Sequence, residues 1–113
     1  MVGALIITGI LIVFDIITGL LKAGYQKKIQ STMLRKGLYH KISEIFAIAL
    51  SIAIEIGSQY IDFGFTLPLS PVVITYISVM ECISIMENIC EMNPDLLKFF
   101  QKYLDKKDGE NDD

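Results

Sequence analysis

The 113-residue sequence is poor in the side chains that most catalytic and metal sites require. It has one histidine, two cysteines and no tryptophan, and it contains neither a glycine-rich phosphate loop nor a His/Cys metal-ligand spacing. A net charge of −3 gives no reason to expect a nucleic-acid partner. Cys82 and Cys90 lie in an apolar stretch and are predicted to be buried free thiols. We therefore expect a protein that is not an enzyme and that binds no cofactor or metal.

Positive charge is missing from three long stretches of the chain. Six of the ten lysines and arginines lie in 22–41 and the other four in 98–107. The stretches without a basic residue are 1–21, 42–61 and 67–90. Because a surface helix of a soluble protein carries Lys and Arg along its outer face, this distribution argues against a soluble globule. A hydrophobic content of 52% and a mean hydropathy of +0.50 indicate a membrane protein instead.

Three segments are long enough to cross a bilayer as helices, for which about 20 apolar residues are needed. In 2–21, thirteen strongly apolar residues contribute about −6 kcal/mol to insertion and Asp15 costs about 3 kcal/mol, so insertion is favoured. This segment lacks the basic start and the cleavage pattern of a signal peptide, and it is predicted to be a retained span. The second span is predicted over 42–61. The third, over 67–90, is the weakest, because its apolar contribution is nearly cancelled if Glu81 and Glu87 each cost as much as a central Asp.

The basic residues also set the predicted orientation. If the basic segment 22–41, which is predicted to be a loop, is cytoplasmic, every Lys and Arg lies inside, the N-terminus lies outside and the C-terminus lies inside. The residues expected to fix this topology and to contact membrane lipid are Lys22, Lys27, Lys28, Arg35, Lys36 and Lys41. Asn93 and Pro94 are typical of a helix start and predict an amphipathic helix over 95–106, at the inner surface or on a partner. The predicted membrane domain covers 1–104, and 105–113 is predicted to be a disordered acidic tail.

Each predicted span carries its polar residues on one narrow face, since spacings of three, four and seven place them within a sector of about 80°. The faces comprise Thr8, Asp15, Thr18 and Lys22 in the first span, Glu44, Ser51, Glu55 and Ser58 in the second, and Ser78, Glu81, Ser84, Asn88 and Glu91 in the third. In hydrocarbon such faces must meet another helix or water. They therefore form hydrogen bonds between helices of a compact bundle, or they turn toward water when many copies assemble. An expected set of five intramembrane carboxylates with no intramembrane cation favours a wet oligomer, or carboxyl groups that stay protonated until it forms.

Two ordered motifs resemble those of the phage holin and toxin-secretion holin family. The first is the run Asp15-Ile16-Ile17-Thr18-Gly19, followed by Lys22-Ala23, Ser31, Gly37 and Lys41. The second is Glu81-Cys82-Ile83-Ser84-Ile85-Met86-Glu87-Asn88, an E-x-x-S-I-x-E-N run that precedes Pro94 and a leucine-rich helix. The resemblance covers residues 10–104 and implies no catalytic role for any of them. Family members commonly carry a longer segment before the first motif, so an upstream helix is expected to be absent here.

The resemblance implies a small protein of the bacterial cytoplasmic membrane that self-associates and then assembles into lesions. Such lesions would let a phage endolysin reach the cell wall, or let a large toxin escape, without stable contact with either. The expected fold is all-α, an integral membrane protein with three transmembrane helices and a C-terminal amphipathic helix. The polar residues expected to line the oligomer or lesion are Asp15, Thr18, Gly19, Ser51, Glu55, Glu81, Ser84, Glu87 and Asn88. Two other functions stay open: a membrane anchor or structural protein of a phage or envelope assembly, and a small ion-coupled channel or transporter.

Overall fold

Four helices make up the fold in the computed structural model, which describes residues 1–65 and 68–111, with side chains as far as Tyr103. They are α1 (Val2–Tyr25), α2 (Ser31–Gly57), α3 (Leu69–Met92) and α4 (Pro94–Asn111). The described part of the chain contains no strand. The first three helices are each long and apolar enough to cross a membrane. The predicted all-α fold, with three spanning helices and a C-terminal helix, is confirmed.

The second helix begins earlier than predicted. It starts at Ser31 rather than at 42, so most of the basic segment expected to be a loop is helical. The reason is local propensity, because Met, Leu, Arg and Lys are good helix formers and no proline interrupts them. The helix ends at Gly57 rather than at 61, because the Tyr60 and Ile61 N–H groups fold back onto the Gly57 carbonyl. Leu67, the predicted start of the third span, lies outside the described residues.

A tight turn over residues 26–30 joins α1 to α2. The Lys27 N–H donates to the Gly24 carbonyl at 3.2 Å, and the Lys28 N–H donates to the Ala23 carbonyl at 2.9 Å. These two bonds form a Schellman motif, whose left-handed position is usually glycine. Here Lys27 occupies it with a φ of 55°, which costs an L-residue about 1 kcal/mol. The turn thereby satisfies carbonyls at the end of α1 and fixes where its lysines emerge.

The fourth helix begins at Pro94, as the Asn93-Pro94 pair predicts. It continues to Asn111, beyond the predicted end at 106 and into the segment 105–113 that was expected to be disordered. No proline stops it there, and its Asp, Lys and Glu residues tolerate a helical backbone. The division into a membrane domain and a tail stays a prediction.

The third helix is the centre of the bundle, because it contacts α1, α2 and α4. Thr8 meets Ser78, and Lys22 meets Glu91, so partners advance together along α1 and α3 with separations of 69 or 70 residues. The two helices are therefore parallel, as the first and third spans of a three-span protein must be.

The bundle has a polar interior and an apolar exterior. Its buried polar residues are Thr8, Asp15, Lys41, Ser51, Ser70, Glu81 and Asn88, against a buried apolar set of Ile12, Ile48, Ile74, Ile77 and Cys90. Large apolar side chains face outward along all three spans; Phe46, for example, is 69% exposed. The predicted burial of Cys82 is wrong. Its side chain is exposed, because it lies on the apolar outer face of α3. An apolar exterior around paired polar groups suits a lipid environment.

The outer face of α1 provides a direct test of lipid exposure. Val13, at the middle of the helix, is 52% exposed, and Val2, at its end, is 71% exposed. A Val13→Lys substitution places an ammonium group in hydrocarbon at a cost of about 3 kcal/mol, which nearly cancels the net insertion energy of α1. We expect about half or more of the chains to be lost from alkali-washed membranes. Val2→Lys is the matched control, because its side chain reaches the interface, and equal recovery of both variants would contradict a lipid-facing α1.

Candidate functional site

The three spanning helices meet at a buried ion cluster, which consists of Asp15 from α1, Lys41 from α2 and Glu81 from α3. Their exposures are 8%, 9% and 2%. The Lys41 ammonium donates to Asp15 Oδ2 and to both oxygens of Glu81, at 2.6 and 2.5 Å. One cation therefore joins all three helices at a single point.

The second oxygen of Asp15 extends the ion cluster along the interface between α1 and α3. Asp15 Oδ1 accepts hydrogen bonds from Ser84 Oγ at 2.6 Å and from Asn88 Nδ2 at 3.0 Å. Asn88 also donates to Thr18 Oγ1 at 3.0 Å. Gly19 lies beside this amide, since a Cβ there would stand 3.7 Å from Asn88 Nδ2. The two motifs of the sequence thus come together in one network.

A third carboxyl group stands next to the ion cluster. A Glu44 oxygen lies 3.8 Å from Lys41 Nζ and 2.8 Å from Nδ1 of the exposed His40. Both Glu44 oxygens are buried, and neither accepts a well-aligned hydrogen bond from the described residues. One ammonium group therefore faces three carboxyl groups. Removing that ammonium would leave the carboxylates without their shared counterion in a medium of low dielectric constant.

The placement of Lys41 corrects two expectations. It was expected at the membrane surface, fixing topology and contacting lipid, and no intramembrane cation was expected. Because α2 begins at Ser31, Lys41 lies ten residues, or about 15 Å, along the helix. Its spacing from Ser51 and Glu55 places it on the same helix face, and this was the signal that pointed inward. The excess of carboxylates that favoured a wet oligomer is therefore smaller than the sequence suggested.

The other polar residues predicted on α2 have separate roles. Glu55 accepts hydrogen bonds from the Ser70 N–H at 2.6 Å and from Ser70 Oγ at 2.5 Å. A carboxylate in this position satisfies free donors at the N-terminal end of α3 and favours its dipole. Ser51 Oγ donates to the Ile48 carbonyl of its own helix at 2.7 Å. Sequence reasoning missed Ser70, although a serine near the start of a helix is a recognisable capping residue.

The remaining predicted residues lie outside the ion cluster. Glu87 is exposed, on a different side of α3 from its buried residues. Lys22 is partly buried and pairs with Glu91 at 3.4 Å. The exposed basic residues around the turn between α1 and α2 are Lys27, Lys28, Arg35 and Lys36. Among the side chains that the structure describes, no group of three or more His, Cys, Asp or Glu residues could hold a metal ion.

The sequence model of the bacteriophage holin family matches residues 1–108, which include both motifs and the three spanning helices. The uncharacterized protein Lmo0128 of Listeria monocytogenes serovar 1/2a is 32% identical over 105 residues, covering 90% of this chain and 71% of that protein. No solved structure matches the chain.

The ion cluster predicts a strong dependence of the bundle on Lys41. A Lys41→Met substitution leaves the carboxylates of Asp15 and Glu81, and that of Glu44 beside them, without their ammonium, and we expect the free energy of unfolding to fall by about 3–5 kcal/mol. The measurement is loss of helicity by circular dichroism during denaturant titration in mixed micelles.

The exposed Lys36 provides the matched control, because Lys36→Met removes a charge from the same helix outside the ion cluster. Adding Asp15→Asn and Glu81→Gln to Lys41→Met should restore most of the stability, since the charges are then removed together. Equal unfolding midpoints for the Lys41 and Lys36 variants would show that the ion cluster does not hold the helices.

Proposed function

The chain belongs to the bacteriophage holin family, and on that premise we propose that it forms lesions in the bacterial cytoplasmic membrane. A phage endolysin, or a large toxin, would leave the cytoplasm through these lesions. The family is not a family of enzymes, and the three apolar helices are those of a multi-pass membrane protein. The observation that carries the proposal is the ion cluster. In it, charged side chains that belong to the three spanning helices are buried inside a bundle with an apolar exterior.

In the proposed function the protein first accumulates in the membrane without permeabilising it, and the structure of the single chain supports this first phase. Its intramembrane polar groups are mostly bonded within the bundle, as Asp15, Lys41 and Glu81 are, while its outer surface is apolar. Because the described polar groups bond mainly to one another, we expect a single bundle to open no continuous water path across the bilayer. The protein can therefore accumulate in the membrane without making it permeable.

A lesion wide enough for a folded enzyme needs polar side chains at its edge. In the described spans, the main source of such side chains is the interface between the helices. Assembly would therefore exchange pairing within one chain for contact with water and with neighbouring copies. The free energy gained by rehydrating the charged groups offsets the free energy lost with the broken ion pairs. The reason is that burying charges in a medium of low dielectric constant is costly even when they are paired. Since one ammonium joins three helices, the helices would open together and not one at a time.

Release of a cytoplasmic muralytic enzyme tests the proposal. We expect inducible expression together with such an enzyme to give a delayed and abrupt fall in culture turbidity, accompanied by loss of the membrane potential. Expression of either protein alone should not clear the culture. Slow growth inhibition with the potential intact would favour a membrane anchor, and ion-selective flux without enzyme release would favour a transporter.

Variants of single carboxylates test whether these side chains are required for clearing. Asp15→Ala, Glu55→Ala and Glu81→Ala are expected to reach the membrane in normal amounts, since each removes a polar group, but to abolish clearing. Glu87→Ala is the matched control, because Glu87 is an exposed carboxylate of α3 outside the ion cluster. Clearing at an unchanged time by the Asp15 and Glu81 variants would refute a role for these side chains in the lesion.

The proposed orientation places the N-terminus outside and the C-terminus in the cytoplasm. We expect a fluorescent protein fused after Asp113 to fluoresce, and alkaline phosphatase fused there to be inactive, because nine of the ten basic residues, all except the buried Lys41, flank the cytoplasmic side. A fusion truncated after Asp62, in the turn that follows α2, should give the opposite pair of signals. Phosphatase activity at the C-terminus would reverse the assignment.

A further inference from the structure

A groove of about 510 Å³ lies between α1 and α2, at the end where the turn over 26–30 joins them. Both helices contact α3, whose Ser84 and Asn88 line the groove as well. Much of its wall is apolar and comes from Ile16, Leu20, Leu34 and Leu38. These four side chains are between 38% and 58% exposed, so the surrounding membrane can reach them.

The groove has a basic rim. Lys22 and Lys28 both line it at the end nearest the turn. Lys22 shares its charge with Glu91, whereas Lys28 is exposed and is held in position by the Schellman motif. At the inner end, Asp15 and Lys41 also line the groove, but they are paired with each other. The unshared positive charge is therefore at the rim, beside apolar walls.

We infer that this groove binds an anionic phospholipid, with an acyl chain along the apolar walls and the phosphate against Lys28 and Lys22. Basic pockets between membrane helices on the cytoplasmic side bind anionic headgroups, and an acyl chain matches the walls. A soluble phosphate would fit the rim but leave the walls uncovered. A zwitterionic lipid would cover the walls but gain less from the lysines. The site goes beyond lesion formation, because it requires only that the chain lies in a bilayer.

Gly37 keeps the groove open on its α2 side. It lines the groove, and a Cβ built on it would meet nothing within 4 Å. A larger apolar side chain at Gly37 would therefore fit the helix and occupy the space assigned to lipid. Gly9 of α1 has equally open surroundings but does not line the groove, so it provides a matched position.

Native mass spectrometry of the detergent-purified full chain, with added phosphatidylglycerol or phosphatidylcholine, tests the site. We expect one phosphatidylglycerol to be retained per chain under conditions that remove phosphatidylcholine. Because a lysine near an anionic lipid contributes about 1 kcal/mol, Lys28→Gln should weaken phosphatidylglycerol binding about five-fold. Lys36→Gln, an exposed position outside the groove, should leave it unchanged.

A second pair of variants tests the walls independently of charge. Gly37→Leu should abolish the retained phosphatidylglycerol, and Gly9→Leu should not. Free glycerol phosphate should fail to displace the lipid, because it has no acyl chain to contact the apolar walls. Equal retention of the two lipids, equal effects within either pair of variants, or displacement by glycerol phosphate would overturn the site. None of these outcomes depends on lysis, so they are distinct from a failure of the proposed function.

Discussion

The arrangement of the helices depends on the need of Lys41 for opposite charge. In lipid, apolar side chains gain little by leaving the hydrocarbon for one another, so helix faces are selected largely by packing and polar contacts. The apolar cluster of this bundle is small, consisting of Ile48, Ile74 and Ile77 with a few neighbours. The ammonium of Lys41 bonds to carboxylates of the two other spans. This cation therefore determines which face of α2 turns inward.

The same polar side chains serve two environments in the proposed function. Inside a single chain they bond to one another, and in an assembled lesion they would contact water. A buried ion pair suits such an exchange, because its desolvation cost makes it a specific interaction without making it a strongly stabilising one. The contacts of Glu55 with Ser70 add a second link, near the other end of α2. The lipid groove, if filled, would add a third between α1 and α2, close to the turn that joins them.

Hydropathy predicted α1 and α3 within a few residues, because a bilayer imposes a minimum apolar length on any spanning helix. Helical spacing also predicted that Asp15 lies on a polar face of α1 and that Glu81, Ser84 and Asn88 share a polar face of α3. It left open whether these faces meet each other or water. The start of α2 was not predictable in this way, since a run of basic residues was interpreted as a loop although its residues favour a helix. Spacing places Lys41 on the same face of α2 as Ser51 and Glu55. Whether that face is buried depends on which helices pack against it, and only the tertiary structure shows this. Glu87 was assigned to the site because of the motif resemblance. As the neighbour of Asn88 in the sequence, however, it lies about 100° away from Asn88 around the helix axis.

The parallel course of α1 and α3 has an electrical consequence. Each helix carries about half an elementary charge at either end, positive at the N-terminus and negative at the C-terminus. The dipoles of two antiparallel helices cancel, but the dipoles of three helices cannot all cancel in pairs. The bundle therefore retains the axial dipole of one helix. Half a charge moved across a voltage of 100 mV corresponds to about 1 kcal/mol. Every copy of this protein is therefore a weak dipole aligned across the bilayer, and the electric field of an energised cell acts on its folded form.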